Sequence, residues 1–396
     1  MARFCTALRT MSITPFTINV PDPVLTDLQE RLARVRWPDE VGTNWTYGTD
    51  LAYLKSLIGY WQSAYDWRAQ EAALNALDHF QWTRDGRKLH FIHQRSSNEH
   101  ALPLIMTHGW PGSITEFTKI IPMLTEPQNY GGNADDAFHL VCPSIPGYGF
   151  SDAPTAPGFD QMHVAQGNVA LMRELGYARY GAQGGDWGSP ISSWTARLAP
   201  EQVVGLHLTL VFAGFPKHKD DPFEGVTDEE RARIDERRSH MSEGTGYQAI
   251  QGTKPQTLGY GLNDSPVGLA AWITEKFHAW THCDGVIENS VSKDELLTNI
   301  MVYWITQTIT SSARLYYESS HSQNNMFADG RIETPTGAAM FPGELYQPPR
   351  AWAAEQYNIV HWTHQTAGGH FAALEAPELL ADDLRDFFRP LRGDQS

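Results

Sequence analysis

The chain has 396 residues, of which 41% are hydrophobic, and carries 46 acidic against 30 basic side chains. This globular composition excludes a disordered chain, and the length suits one elaborated α/β domain or two domains. The formal charge of −16 argues against a nucleic-acid partner, because phosphate binding needs an excess of Lys and Arg.

Cysteine usage and the distribution of apolar residues bear on the cellular compartment. Cys5, Cys142 and Cys283 are odd in number and far apart, which argues against a disulfide framework and favours a reducing compartment. No apolar run in the sequence approaches the ~20 residues of a membrane span. We therefore expect a cytoplasmic protein without a membrane anchor. The sequence leaves open whether it forms a homodimer.

Residues 15–80 are predicted to be mainly helical. Apolar side chains recur at helical intervals in residues 22–37, and residues 51–67 repeat this pattern. From about residue 80 the pattern becomes strand-like, and Asp85-Gly86 is typical of the turn in a β-hairpin.

Apolar runs of strand length follow and alternate with helical stretches. These runs cover residues 102–109, 138–147, 179–186 and 203–210, and the clearest helical stretch covers residues 159–177. Strands that alternate with helices at this spacing predict an α/β fold with a mostly parallel sheet and helices on both faces.

The alternation lapses over residues 214–320, where helical patterns predominate; within them Ser265 and Pro266 are typical of a helix start. A strand pattern returns at residues 357–366, and an amphipathic helix closes the chain. The predicted division has four parts: an N-terminal helical segment over 1–80, a sheet core over 81–213, a helical cap over 214–320, and the rest of the core over 321–396.

Residues 181–189, GAQGGDWGS, place one acid among four glycines, between a predicted strand and a predicted helix. A sharp strand-to-helix turn crowds the residues two before and two after its apex, which here are Gly184 and Gly188. This is the nucleophile elbow of the α/β hydrolases, usually written G-x-S-x-G, with Asp186 in place of the serine. A carboxylate at the apex can attack a carbon electrophile and form an ester. The alternative is that Asp186 only caps the helix.

A nucleophile of this kind needs donors for the oxyanion that forms when its ester is hydrolysed. The loop THGWPGS, residues 107–113, comes straight after the apolar residues LPLIM, 102–106. We expect the backbone N–H groups of Trp110 and Trp187 to form the oxyanion hole.

Hydrolases of this fold place an acid and then a histidine after the nucleophile in chain order. His370 lies between the last predicted strand and the closing helix, after two glycines that free the backbone to aim the ring. Glu344 lies just beyond the apolar run 338–342, in a Pro-rich loop, and is the preferred acid. Glu333, Glu355 and the Asp residues before position 330 compete with it.

The sequence resembles the microsomal-type epoxide hydrolases of the α/β-hydrolase superfamily over nearly its whole length. Six segments carry the resemblance: PFTINVPDPVLTDLQERLARVRWPDEV, HGWPGS, GGDWGS, TKPQTLGYGLNDSPVGLAAWITEKF, FPGE and GGHFAALE. Together these segments are highly specific for this family, whereas GGDWG alone would not distinguish it from related families. The membrane-bound animal members carry an N-terminal anchor that this chain lacks, so the resemblance is to a soluble member.

The resemblance implies that Asp186 is the nucleophile, His370 the base and Glu344 its charged partner. It also implies two tyrosines of the cap that bind the epoxide oxygen. The first matches Tyr247, and the second matches Tyr316 better than the adjacent Tyr317. With Trp110 and Trp187, these tyrosines would contact a small epoxide substrate. The implied products are vicinal diols, and no metal or cofactor is required.

Two other functions have to be weighed. A haloalkane or haloacid dehalogenase also uses an Asp-Trp elbow, but its halide leaving group needs N–H donors rather than proton donors. That class usually has Asn or Glu where this chain has Trp110, and the paired tyrosines favour an oxygen leaving group. A non-catalytic binding protein of this fold would lack part of the triad, whereas every expected position is filled here.

Overall fold

The computed structural model describes residues 12–42, 44–216, 219–324 and 330–393. In these ranges one sheet contains nine strands. Their bounds are β1 Ser12–Pro15, β2 His79–Arg84, β3 Arg87–Gln94, β4 Leu102–Thr107, β5 Phe138–Pro143, β6 Tyr180–Gly184, β7 Val203–Leu208, β8 Ile332–Met340 and β9 Tyr357–His364. The strand order is β1-β2-β3-β5-β4-β6-β7-β8-β9. The first three strands pair antiparallel, and the six from β5 to the β9 edge pair in parallel.

The helices fall into three groups along the described chain. The first group is α1 Asp22–Leu32, α2 Leu51–Ser63 and α3 Trp67–Leu74. The second alternates with the strands or follows them: α4 Ile120–Thr125, α5 Gln161–Glu174, α6 Gly188–Leu198, α13 Arg350–Gln356, α14 Ala372–Glu375 and α15 Pro377–Phe388. The third lies between β7 and β8: α7 Asp228–Gly244, α8 Gly246–Thr253, α9 Pro255–Asp264, α10 Pro266–Trp280, α11 Lys293–Thr306 and α12 Ile309–His321. We call this third group the inserted helices.

Apolar packing explains the layers. One buried cluster packs α5 and α6 against one face of the sheet, and another packs α4 and α15 against the opposite face. A third cluster joins α1 and α2 to the inserted helices and includes Trp110 and Trp187. In the described ranges, no helix is both long and apolar enough to cross a membrane.

Most predicted elements are confirmed. The hairpin turns at Asp85-Gly86 between β2 and β3, and the mostly parallel sheet with helices on both faces is present. The side chain of Ser265 accepts a hydrogen bond from the Gly268 N–H at the start of α10, as its position before Pro266 predicted.

Two strands were not predicted. The segment from residue 15 was expected to be helical, but Pro15 ends β1, which pairs with β2 at the edge of the sheet. In the second case, only the short apolar run 338–342 was noted in the sequence. In the structure, the first part of this run is the end of the nine-residue strand β8. Pro335 disguises this strand, because proline has no N–H for the ladder, and the register with β9 shifts just before it.

The parallel part of the sheet positions the site. Parallel strands end at the same edge, and ligands bind there in open α/β sheets. The residues that follow β4, β6, β8 and β9 include Trp110, Asp186, Glu344 and His370 respectively, so the topology brings the predicted residues to one edge.

Candidate active site

Asp186 occupies a strained turn between β6 and α6. Its φ is 47°, in the left-handed region that non-glycine residues rarely adopt. A Cβ on Gly184 would overlap the carbonyl group of Gly188, and a Cβ on Gly188 would overlap the carbonyl of Thr107 in β4. The two glycines therefore let the chain reverse tightly while β4 packs directly against the turn. The turn places the carboxylate beside the Trp110 N–H and the His370 ring.

Gly188→Ala is expected to lower the free energy of unfolding by about 1–3 kcal/mol or more, since the added methyl forces the backbone of the turn to move. Gly167→Ala is the matched control. Gly167 lies within α5 with open space around its Cβ position, so alanine there should stabilise by up to about 1 kcal/mol. Urea denaturation of the three proteins measures both changes. Equal stability of the two variants would contradict this account of the turn.

The loop after β4 contacts the carboxylate directly. The Trp110 N–H donates a 2.7 Å hydrogen bond to Asp186 Oδ1. A Cβ on Gly109 would overlap the Asp186 side chain, which explains the small residue there. Helix α11 fixes the loop, because Asn299 Nδ2 donates to the Pro111 carbonyl at 2.7 Å. This places a backbone donor at the oxygen where negative charge would develop.

His370 and Glu344 form a buried pair beside Asp186. His370 Nδ1 lies 2.7 Å from Glu344 Oε1, and His370 Nε2 lies 3.2 Å from Asp186 Oδ2. The His370 backbone N–H donates to the Trp280 carbonyl at 3.0 Å, which fixes the ring at the end of α10. The Leu345 N–H donates to Glu344 Oε1 at 2.6 Å. The arrangement resembles the base-and-orienting-acid pair of hydrolytic triads.

The charges around His370 set its protonation state. Burial alone would lower the pKa of its imidazole, but the charge of Glu344 and the adjacent carboxylate of Asp186 raise this pKa well above the usual value. Before any substrate reacts, His370 therefore favours its protonated, imidazolium form. Any reaction that removes the Asp186 charge lowers the His370 pKa again.

The competing acids lie elsewhere. Glu333 is exposed and pairs with Arg331 at 3.7 Å, while Glu355 pairs with Lys219 at 2.6 Å. Glu344, by contrast, is fully buried against the histidine. Among the three glutamates considered from the sequence, the structure brings Glu344 to His370.

Two tyrosines from the inserted helices face the same region. Tyr247 in α8 and Tyr316 in α12 have ring centroids 5.9 Å apart. Trp110 stacks on Tyr247 at 5.2 Å, and Trp187 meets Tyr316 edge-on at 4.8 Å. Trp110 and Trp187 both lie next to Asp186, so the two phenols belong to an aromatic group around this carboxylate.

Tyr316 and Tyr317 differ in where they point. Tyr316 is 5% exposed, whereas Tyr317 is 37% exposed and stacks on His321 at 4.0 Å, away from this aromatic group. Burial, followed by the charge of Asp186, raises the pKa of Tyr247, and burial likewise raises that of Tyr316. Both phenols therefore keep their protons at neutral pH and can donate them.

Three residues around Asp186, His370 and Tyr247 were not found from the sequence. Trp280 contacts both the Tyr247 and His370 rings, at 5.2 and 5.0 Å between centroids. The Lys276 ammonium lies 4.6 Å from the centroid of the Tyr247 ring. Glu116 lines the same cavity as Asp186 and His370. In the described part of the chain, no group of three or more His, Cys, Asp and Glu side chains is arranged to hold a metal ion.

The elbow, the mostly parallel sheet and the following histidine define an α/β hydrolase, and the family model described as "alpha/beta hydrolase fold" matches residues 103–235. A second family model, described as "Epoxide hydrolase N terminus", matches residues 13–117. Epoxide hydrolase 1 of Sus scrofa is 41% identical over 403 residues, covering 95% of this chain and 88% of that protein. The chain belongs to the epoxide hydrolase family.

Solved structures agree with this assignment. The juvenile hormone epoxide hydrolase of the silkworm Bombyx mori superposes with a TM-score of 0.89 at 34% identity, covering 96% of this chain and 95% of that one. The Aspergillus niger epoxide hydrolase gives a TM-score of 0.85 at 30% identity, covering 96% and 97%. The predicted resemblance to epoxide hydrolases is thereby confirmed.

Proposed function

We propose that the protein opens an epoxide to a vicinal diol through a covalent ester on Asp186, with the inserted helices as a cap over the site. One observation carries the proposal: the Asp186 carboxylate lies among a backbone donor, a histidine paired with Glu344, and two buried phenols. An epoxide uses all of these groups. Its carbon is electrophilic through ring strain, and its alkoxide leaving group is poor and needs a proton.

The first step forms the ester. Trp110 N–H holds Oδ1, which leaves Oδ2 of Asp186 to attack an epoxide carbon from the side opposite the ring oxygen. The new C–O bond forms as the ring C–O bond breaks, and the released oxygen takes a proton from Tyr247 or Tyr316. Trp110 and Trp187 contact these tyrosines and would line the substrate cavity.

The second step hydrolyses the ester. Alkylation removes the negative charge of Asp186, so the pKa of His370 falls. The ring gives up its proton, which replaces the one that Tyr247 or Tyr316 gave to the epoxide oxygen, and can then accept another from water. The hydroxide attacks Cγ of Asp186, and the N–H groups of Trp110 and Trp187 stabilise the oxyanion. Collapse of the tetrahedral centre breaks the bond between Cγ and Oδ2, so Oδ2 leaves with the substrate, takes a proton from His370 and becomes a hydroxyl of the diol.

The experiment that tests the proposal traps the ester. His370→Gln removes the base but not the nucleophile, so an epoxide should raise the intact mass of the protein by the mass of the substrate and the adduct should persist. A panel of alkyl, aryl and cyclic epoxides should give diols, whereas haloalkanes should release no halide. Halide release without diol formation would instead favour a dehalogenase, and the absence of any adduct would contradict the covalent route.

Glu344→Gln is expected to slow ester hydrolysis, but less than His370→Gln does. Glu344 orients the ring and stabilises the imidazolium rather than transferring the proton itself. Glu333→Gln is the control, since that side chain is exposed and pairs with Arg331. Rapid-quench measurement of ester decay separates the variants. Full activity of Glu344→Gln would require another acid.

We also propose that the protein works in the cytoplasm. Cys142 and Cys283 are free, buried thiols, as expected of a reducing compartment. Fractionation of the source cells, with immunodetection of the protein, tests this proposal, and recovery in a secreted fraction would contradict it.

A further inference from the structure

A half-buried carboxyl group, that of Glu116, shares a small cavity with Asp186 and His370. Glu116 lies in a single turn, Ile114–Phe117, shortly after the Trp110 loop. The cavity has a volume of about 20 Å³, which is room for one water molecule. The residues that line it include Glu116, Gln183, Asp186 and His370.

Two polar atoms at this cavity form no protein hydrogen bond of good geometry within the described residues. His370 Nε2 and Gln183 Oε1 are both buried and form no hydrogen bond, although Nε2 lies 3.2 Å from Asp186 Oδ2. A buried polar atom without a partner is costly, and such atoms in a cavity of this size are typically bridged by water. A water needs two to four polar partners, and the Glu116 carboxyl supplies a third.

The loop is shaped to admit the Glu116 carboxyl. A Cβ on Gly112 would overlap Glu116 Oε1, so the carboxyl lies where any larger residue would place its side chain. Tyr303 in α11 donates a 2.7 Å hydrogen bond to the Gly112 carbonyl and fixes the backbone there. The position of this carboxyl is therefore set by the loop rather than by a flexible surface contact.

The charge state of Glu116 suits a site that already holds two other carboxylates. Burial raises its pKa to about 8; the charge of His370 opposes this rise, and those of Asp186 and Glu375 add to it. At neutral pH the carboxyl is thus mainly protonated, so it can accept and donate hydrogen bonds without adding negative charge beside the nucleophile.

We infer that Glu116 holds the hydrolytic water against His370 Nε2 and directs its oxygen to Cγ of Asp186. This inference rests on the proposed covalent mechanism and names a positioning residue for its second step. The water gives one proton to His370 as its oxygen bonds to Cγ, and the departing alkoxide recovers a proton from His370. Glu116 keeps its own proton throughout, so atoms and charge balance.

The experiment compares Glu116→Leu, Glu116→Asp and Glu116→Gln with the natural protein in single turnovers, following ester formation and ester decay by rapid quench. Leucine removes the polar contact and aspartate withdraws the carboxyl by one methylene. Both should leave the rate of ester formation within about twofold and slow ester decay about 10²-fold, the cost of misplacing a reacting group. Glutamine keeps an acceptor and a donor, so it should restore decay to within about tenfold.

Thr118→Ala, just after the same turn, is the matched control and should change neither rate. Ester decay at the natural rate in both Glu116→Leu and Glu116→Asp would overturn the inference. Equal slowing of ester formation and decay would also overturn it, because that pattern indicates damage to the whole site. Failure of the proposed function itself is distinct, since then no ester would form even with the natural protein or His370→Gln.

Discussion

Replacing both Tyr247 and Tyr316 by phenylalanine is expected to stop detectable alkylation of Asp186. Both phenols remain protonated at neutral pH because burial raises their pKa values. Without them the epoxide oxygen would have to leave as a free alkoxide in an apolar, aromatic enclosure, which is the costliest place for a new negative charge. General acid catalysis contributes about 10²–10⁴-fold, and the double variant loses both donors together.

Each single change should cost less, because the remaining phenol still donates. Tyr247→Phe or Tyr316→Phe should slow ester formation by up to about 10²–10⁴-fold while leaving ester decay nearly unchanged. Tyr317→Phe is the matched control, since its ring is exposed and stacks on His321. Stopped-flow measurement of single turnovers reports ester formation. Loss of activity in Tyr317→Phe with full activity in Tyr316→Phe would mean that Tyr317, not Tyr316, is the second proton donor.

The turn around Asp186 was predictable because its determinants are local. Gly184 and Gly188 are required by contacts within a few residues of Asp186 and with the adjoining strand β4. The spacing of small residues therefore carries the geometry in the sequence itself. The parallel sheet was predictable for a similar reason, since each buried strand is a short apolar run bounded by turn residues.

The choice of acid depended on distant parts of the chain. Glu344 follows β8, a strand disguised by Pro335, and it meets His370 only because β8 and β9 are neighbours in the sheet. Chain order favoured an acid before the histidine, and the loop placement of Glu344 favoured it over Glu333 without excluding the latter. Burial separates them in the structure, since the Glu333 side chain is 74% exposed.

Glu116 was missed because nothing in its local pattern distinguishes it. In sequence it is one acid in a short turn after a glycine-containing loop, the common setting of a solvated side chain. The role inferred for Glu116 depends on the absence of a side chain at Gly112. It also depends on the buried atoms Gln183 Oε1 and His370 Nε2, which form no hydrogen bond to the protein. These come from different strands and loops, so the cavity exists only once the sheet has assembled.

The oxygen that enters the diol provides the decisive test of the role of Asp186. The Trp110 N–H is bonded to Asp186 Oδ1, so the stabilised oxyanion forms on this carboxyl group and water should attack its Cγ rather than the substrate carbon. In a first turnover, the oxygen added to the substrate must then come from the side chain of Asp186.

A single turnover with enzyme in excess, run in ¹⁸O-labelled water, should therefore yield unlabelled diol and one labelled oxygen in the peptide containing Asp186. Under multiple turnover the label should appear in the diol, because each later attack uses a carboxylate that carries it. The peptide containing Glu344 is the internal control and should gain no label, since in the proposed mechanism Glu344 orients His370 and forms no bond to substrate. Label in the diol from the first turnover, with an unlabelled Asp186 peptide, would mean that water attacks the epoxide directly. Asp186 would then be a general base or a helix cap, and the two glycines around it would serve only to shape the turn.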